Sequence, residues 1–152
     1  MSVSARLAHV NLVARDWEGL AEFYERVLGF TLLPPVRRLR GRWLERATGV
    51  PGAEIEGVHL RFPGSGADGP TLEVFGYRPS AERPATAVNR PGFAHIALAV
   101  DDVQAARDAV VAAGGSTVGE LASADIPGAG TVTFVYVTDP EGNVIELQRW
   151  SQ

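Results

Sequence analysis

The chain has 152 residues, 45% of them apolar, which suffices for one hydrophobic core and favours a folded globular protein over a disordered one. Its formal charge of −4 gives nucleic acid no broad basic surface, and the absence of cysteine excludes disulfides, thiolate catalysis and cysteine-ligated zinc. Because no apolar run reaches membrane-spanning length and no signal pattern opens the chain, we expect a cytoplasmic protein with no membrane or nucleic-acid partner.

The first half of the chain predicts the order strand, helix, strand, strand, strand. Residues 7–13 alternate, so that His9 and Asn11 share one face of a strand. Asp16 can cap a helix whose apolar positions recur at helical spacing, and Gly29 can end that helix. Strands are then expected at residues 30–33, 57–62 and 71–77, with one more at 42–46 inside a glycine- and proline-rich loop over 34–57.

The second half predicts the same order of elements. A strand at residues 93–100 precedes a helix that Asp101 or Asp102 caps and that ends at Gly114 and Gly115. Further strands are expected near residues 116–120, 130–138 and 143–150, the last two joined by a hairpin turn at 139–143. We therefore predict one domain built from a first module (1–77), a linker (78–92) and a second module (93–152).

A constant offset relates the two halves. His9 and His95 are 95 − 9 = 86 residues apart, and Asp16 and Asp102 are also 102 − 16 = 86 apart. One glutamate stands in the last strand of each half, although their offset is 146 − 73 = 73 because the first half has the longer loop. Such a repeat indicates a duplicated unit that carries one histidine and one glutamate in each copy.

Alternation along the last strand of each half fixes the neighbours of its glutamate. The residues that share a strand face with a glutamate are Phe75 and Tyr77 beside Glu73, and Gln148 and Trp150 beside Glu146. If a helix covers the opposite face of each sheet, both glutamates and both histidines lie on open faces. Two imidazoles and two carboxylates then suit one divalent metal per site: nickel, cobalt, zinc, manganese or ferrous iron.

Other polar residues have less specific interpretations. A single strand histidine is more often packed and hydrogen-bonded than a metal ligand, and His59 has no histidine counterpart in the second half. We interpret His59 as structural or substrate-contacting. The arginines at 37, 38, 40 and 42 predict a solvated face that could also meet an anionic substrate group, and Trp43 is expected to pack in the core.

Six short motifs carry a resemblance to a known superfamily: Leu7-Ala-His9-Val, Phe23-Tyr24 with Leu28-Gly29-Phe30, Leu72-Glu73-Val, Ala94-His95-Ile, Asp139-Pro-Glu-Gly-Asn143 and Ile145-Glu146-Leu147. With these motifs the chain resembles the vicinal oxygen chelate superfamily, which includes glyoxalase I, extradiol dioxygenases and bleomycin-resistance proteins. The resemblance covers nearly the whole chain and implies an α+β fold of two βαβββ modules that form a cup-shaped mixed sheet. It further implies a homodimer and a metal held by His9, Glu73, His95 and Glu146.

Within this superfamily, the ligand set resembles that of glyoxalase I most closely. Bacterial glyoxalase I has arginine and asparagine against glutathione at positions that are Val13 and Tyr77 here, which argues against glutathione. Ala94 stands where methylmalonyl-CoA epimerases often have a second histidine. Glu73 would be a surplus ligand in a ring-cleaving dioxygenase, which uses two histidines and one glutamate.

We therefore expect a metal-dependent, glyoxalase-like lyase or isomerase that abstracts a proton beside a carbonyl and stabilises an enediolate on the metal. Glu146 or Glu73 is the expected base, and the substrate is a small molecule with vicinal oxygens. The expected substrate-binding residues are Asn11, Phe75, Tyr77, Gln148 and Trp150. The alternatives are a ferrous extradiol-type dioxygenase and a non-catalytic binding or antibiotic-resistance protein of the bleomycin-resistance type.

Overall fold

The computed structural model describes residues 2–152, which divide into two compact units between Glu82 and Arg83. In the described residues, the first unit contains β1 (His9–Val13), α1 (Trp17–Leu28), β2 (Thr31–Arg40), α2 (Arg42–Thr48), β3 (Glu54–Arg61) and β4 (Thr71–Arg78). The second unit contains β5 (His95–Ala99), α3 (Val103–Ala112), β6 (Ser116–Thr117), β7 (Ala122–Ile126), β8 (Gly130–Thr138) and β9 (Val144–Ser151).

The sheets of the two units share one strand order. It is β1-β4-β3-β2 in the first unit and β5-β9-β8-β6 in the second, where β7 also pairs with β8. In both sheets the first strand of the unit lies parallel to the last, whereas the other neighbours are antiparallel. The predicted α+β class with two related modules is therefore confirmed, and the second module carries β7 in addition to the expected pattern.

Aspartate caps begin the long helix of each unit, as the sequence predicts. The Asp16 carboxylate accepts from the Gly19 backbone N–H at 3.0 Å, and Asp102, not Asp101, accepts from the Ala105 N–H at 2.9 Å. Each bond satisfies a backbone donor that the first turn of a helix leaves unpaired. The first helix ends at Gly29, whose φ of 72° is left-handed.

The helix ends differ between the units. Gly29 and Gly115 are equivalent by offset, but α3 already ends at Ala112 and the positive φ, 96°, belongs to Gly114. The predicted end of the second helix therefore lies one to two residues beyond the observed C-cap, Ala113. Ala113 donates its backbone N–H to the carbonyls of Ala109 and Val110, so the chain closes in a tighter final turn.

The strand predicted at residues 42–46 is wrong, because this segment forms α2. Gly41 with φ 112° and Gly49 with φ 68° stand at the two ends of this helix. Leu44 is buried on its inner side, and the Thr48 hydroxyl donates to the Leu44 carbonyl at 2.8 Å. Two glycines with left-handed backbone and a single buried leucine are what a short surface helix requires, and alternation in so short a segment did not reveal it.

Two strands also differ from the expectation. β2 extends to Arg40, beyond the predicted end at residue 33, although its pairing with β3 shifts between Leu33 and Arg37. β7 lies in a segment without a predicted element, and its residues are all exposed. Its exposure explains the omission, because a strand without a buried face has no apolar alternation to detect.

Each long helix covers one face of its sheet. α1 packs on β3 and β4, and α3 packs on β8 and β9. Fully buried residues of the last strands are Leu72, Val74, Ile145 and Leu147. Full burial of such a side chain contributes about 1.5–3 kcal/mol. Because successive strand residues face opposite ways, Glu73 and Glu146 lie on the faces away from the helices.

The segment predicted as a linker is bonded to the turn between β8 and β9. Arg83 donates to the Asn143 side chain at 2.8 Å and to the Gly142 carbonyl at 2.7 Å, and the Thr86 hydroxyl donates to the same carbonyl at 2.8 Å. Asp139 begins that turn and accepts from the backbone N–H of Asn143 at 3.0 Å. Within residues 2–152, no helix is long and apolar enough to cross a membrane.

Candidate functional site

The open face of the first sheet carries a polar cluster centred on Glu73. Strand register brings its members together, since Glu73 pairs with Asn11 across the parallel β1–β4 ladder and with His59 across the antiparallel β3–β4 ladder. The Asn11 Nδ2 donates to Glu73 Oε2 at 3.0 Å, and His59 Nε2 lies 3.1 Å from Glu73 Oε1. His9 Nδ1 lies 3.5 Å from the same Oε1. We call His9, Asn11, His59 and Glu73 the Glu73 cluster.

The carboxylate of Glu73 is held in place while it stays close to solvent. Its side chain is 12% exposed, against 20% for His59 and 46% for His9. Partial burial makes the hydrogen bonds to this carboxylate worth more than they would be on an open surface. Asn11 and His59 therefore fix the two oxygens of Glu73, and His9 is the more exposed and more distant neighbour.

A hydrogen-bonded chain runs from Thr71 through His59 to Glu73. His59 Nδ1 lies 2.9 Å from Thr71 Oγ1, on the opposite side of the ring from Glu73. Burial lowers the pKa of His59 below its ordinary 6.5; the Glu73 carboxylate opposes this shift, whereas the charges of Arg37 and His9 add to it. The neutral ring then donates from Nε2 to Glu73 and accepts at Nδ1 from Thr71.

His59 is the residue whose part in the site the sequence did not reveal. It was expected to be structural or substrate-contacting, and the structure places it against Glu73 at a shorter distance than His9. The signal lay in the hairpin of β3 and β4, where residue 59 stands directly across from residue 73. That register, rather than any repeat of histidines, brings the imidazole to the carboxylate.

The second unit presents the equivalent pair of His95 and Glu146. His95 Nε2 lies 3.0 Å from Glu146 Oε2, with side chains 31% and 16% exposed. Glu146 pairs with Ala97 on β5 and with Tyr136 on β8, and the rings of Tyr136 and His95 are 5.1 Å apart. Ala97 thus occupies the strand position equivalent to Asn11, and Tyr136 occupies the position equivalent to His59.

The two carboxylates consequently differ in how firmly they are held. The Glu73 carboxylate is contacted by three side chains, Asn11 and the imidazoles of His9 and His59. Within residues 2–152, the Glu146 carboxylate is contacted by one ion-pair partner, His95. A carboxylate with fewer fixed donors needs less energy to change its rotamer and its contacts. The duplicated units thus carry one restrained and one freer carboxylate.

The structure brings the predicted metal ligands together in pairs, His9 with Glu73 and His95 with Glu146. Among residues 2–152 it shows no group of three or more His, Cys, Asp or Glu side chains that could hold a metal ion. The four-ligand centre remains a prediction. Each pair nevertheless brings together a histidine nitrogen and a carboxylate oxygen, 3.5 Å apart in the first unit and 3.0 Å apart in the second, and these are donors that divalent ions bind.

The predicted substrate-binding residues of the first unit have structural contacts. Asn11 is bonded to Glu73. Phe75 is buried, and its ring lies 5.9 Å from that of His59. Phe75 packs with Leu44, Ala53 and Ile55, and the partly buried Leu39, Val50 and Tyr77 pack against them. α2 and these residues thus cover the end of the open face beside the Glu73 cluster.

In the second unit, Gln148 and Trp150 follow Glu146 on the same face of β9. Trp150 Nε1 donates to the Gln148 side chain at 2.9 Å, and Trp150 remains 47% exposed. Such an exposed indole, held in one orientation by its own strand, can contact a ligand. Trp43, expected in the core, is instead exposed on α2.

Comparison with known proteins agrees with this fold. Residues 6–147 match the model of the family described as the Glyoxalase/Bleomycin resistance protein/Dioxygenase superfamily. The chain belongs to this superfamily. Its sheets and helices also match a glyoxalase family protein from Bacillus cereus with a TM-score of 0.81 and 21% identity, over 99% of this chain and 97% of that one.

Two curated relatives are each named "Probable lactoylglutathione lyase". The protein from Vibrio cholerae is 29% identical over 147 residues, covering 93% of this chain and 88% of the relative. The protein from Vibrio parahaemolyticus is 30% identical over 144 residues, covering 95% and 90%. These similarities support a glyoxalase-like function for the chain.

Proposed function

We propose that this protein is a glyoxalase-like lyase or isomerase that removes a proton from a carbon beside a carbonyl group. The observation that carries the proposal is the presence of a histidine–glutamate pair at the equivalent place in both units, His9 with Glu73 and His95 with Glu146. A duplicated fold alone would preserve the hydrophobic alternation. Polar pairs on both open faces favour a function that uses them together.

His9, Glu73, His95 and Glu146 would hold a divalent metal ion: nickel, cobalt, zinc, manganese or ferrous iron. Their nitrogen and oxygen donors suit such an ion, and the two donors of each pair already lie within 3.5 Å of one another. A bound divalent ion supplies positive charge that polarises the oxygens of the substrate. We propose a homodimer, in which the two pairs of one centre come from one chain or from two.

The difference between the two carboxylates suggests how they divide the proton transfer. Glu146, with His95 as its contact, can turn toward the substrate and accept the proton from carbon. Glu73 is restrained by Asn11 and His59, so it keeps its position; it can take the hydroxyl proton of the substrate and give it to the neighbouring carbon. Glu146 then gives its proton to the former carbonyl oxygen, so both carboxylates are restored and the substrate isomerises without net redox change.

We propose that the substrate is not a glutathione adduct. The names of the two relatives include glutathione, whereas Val13 and Tyr77 occupy the positions of glutathione-contacting residues in the bacterial enzyme that this chain resembles. Val13 is an exposed apolar residue at the end of β1, and Tyr77 packs beside α2. Neither side chain carries a positive charge that could form an ion pair with a glutathione carboxylate.

The proposal is tested by deuterium exchange at carbon, which needs no knowledge of the natural substrate. Hydroxyacetone in D₂O is incubated with wild type, Glu146→Gln and Glu73→Gln, each with added divalent metal, and the loss of the proton signal beside the carbonyl is followed by NMR. We expect wild type to speed exchange and Glu146→Gln to lower its rate by about 10²-fold or more.

The matched control is Glu25→Gln, which changes an exposed glutamate on α1. It should leave the exchange rate at the wild-type value. Equal rates in wild type and Glu146→Gln would contradict the proposed base. A parallel assay with the glutathione–methylglyoxal adduct tests separately whether the protein accepts glutathione as part of the substrate. We expect exchange at hydroxyacetone but no turnover of the adduct.

A further inference from the structure

Arg37 lies on the same open face as the Glu73 cluster. It pairs with Gly57 across the β2–β3 ladder, and Gly57 and His59 share a face of β3 because they are two residues apart. The ladder shifts between Leu33 and Arg37, where extra residues of β2 bulge out. This bulge gives the long arginine side chain room to fold back along its own strand.

The guanidinium of Arg37 is drawn toward the cluster by backbone acceptors. Its Nη1 donates to the Leu33 carbonyl at 3.3 Å and also to the carbonyl of Pro35. Leu33 pairs directly with His59, so the charged group lies beside the strand position that faces the imidazole. The same charge is one of the causes that lower the pKa of His59.

Half of this guanidinium is left available for a ligand. Within residues 2–152, Arg37 has no carboxylate partner, and its Nε and Nη2 donate to no acceptor. Its neighbour Arg38 instead lies 3.9 Å from Glu56. Arg37 is partly buried, where an unpaired charge is more costly than on an open surface. The Nε and Nη2 donors form a planar fork that matches the two oxygens of a carboxylate.

We propose that Arg37 binds a carboxylate group of the substrate, which makes the substrate class a hydroxy or oxo acid. This inference rests on the proposed function for the reaction itself, and it adds the recognition of an anion. Glu73 repels a carboxylate, so the anionic end of the substrate lies on the Arg37 side and the reacting carbon lies nearer the glutamates. Arg37 is thus a specificity-determining residue.

The test uses NMR of the ¹⁵N-labelled chain after removal of metal, with lactate as probe and uncharged lactamide as its matched analogue. The arginine Nε–H signals report binding directly, and the signal lost in Arg37→Gln identifies that of Arg37. Arg40→Gln is the control, because Arg40 is an exposed arginine of the same strand. Arg37→Lys keeps the charge but removes the planar fork.

We expect lactate to shift the Arg37 Nε–H signal to saturation, while lactamide does not. The affinity for lactate should fall roughly tenfold or more in Arg37→Gln, fall in part in Arg37→Lys, and stay within about twofold in Arg40→Gln. Equal lactate affinity in wild type and Arg37→Gln, or equal affinity for lactamide and lactate, would overturn the inference. If Arg37→Gln does not fold, unchanged affinity in Arg37→Lys would overturn it as well.

Failure of this inference is distinguishable from failure of the proposed function. Lactate binding is measured without metal, so it is independent of exchange at carbon. Glu73→Gln should keep or raise the lactate affinity while lowering metal content, because it removes a charge that repels the anion and leaves Arg37 in place. Lactate binding in a chain that binds no metal would therefore support the anion site and count against the metal-dependent reaction.

Discussion

Replacement of His59 by phenylalanine tests how much its two side-chain hydrogen bonds, to Thr71 and to Glu73, stabilise the fold. Phenylalanine keeps a ring beside Phe75, but it has no donor for Glu73 Oε1, now 3.1 Å from Nε2, and no acceptor for the Thr71 hydroxyl at 2.9 Å. A hydrogen bond to a charged group contributes about 1.5–3 kcal/mol and a neutral one about 0.5–1.5 kcal/mol. Glu73 keeps its bond to Asn11 and some access to water, so we expect the lower end, about 2 kcal/mol.

Urea unfolding followed by circular dichroism measures this loss. With a denaturant slope of about 2 kcal/mol per molar, a loss of about 2 kcal/mol lowers the midpoint by about 1 M. Two controls calibrate the result. Thr71→Val removes one neutral bond and should cost about 1 kcal/mol, and His9→Phe should cost less because its 3.5 Å contact is half exposed. A His59→Phe midpoint within error of His9→Phe would refute the reasoning.

Two further predictions follow from the caps and from the charge on His59. Because the pKa of His59 is lowered in the folded chain, the unfolded chain binds more protons below pH 6.5, so stability should fall as pH decreases from 6.5 to the folded pKa. Urea midpoints against pH should show this fall in wild type and a weaker one in His59→Gln. Asp102→Ala should lower stability by about 1 kcal/mol in thermal unfolding, whereas Asp101→Ala should have little effect; equal effects would exclude Asp102 as the cap.

Features with a local cause were predictable from the sequence. Asp16 and Asp102 are caps because a short carboxylate just before an apolar helical stretch satisfies the first free N–H groups. The position of Glu73 and Glu146 on the faces away from the helices follows from the period of two along a strand. These rules need only neighbouring residues, which explains why the duplicated modules could be predicted in outline.

Features that depend on tertiary contacts were not predictable in the same way. α2 is stabilised by the burial of Leu44 against Ile55 of β3 and Phe75 of β4. The contact of His59 with Glu73 depends on the register of β3 and β4, which the loop between them does not reveal. The second unit shows the same limit, since Tyr136 replaces His59 in register without any similarity of residue type.

Metal content is the measurement that tests the central claim most directly. Wild type, His9→Gln and His95→Gln are purified without chelator or histidine tag, equilibrated with equal divalent metal, and analysed by mass spectrometry. We expect about one ion per chain in wild type and a marked loss in either variant, because each unit supplies half of the ligands. Wild type without metal, or metal that persists in both variants, would contradict a centre formed by the two histidine–glutamate pairs.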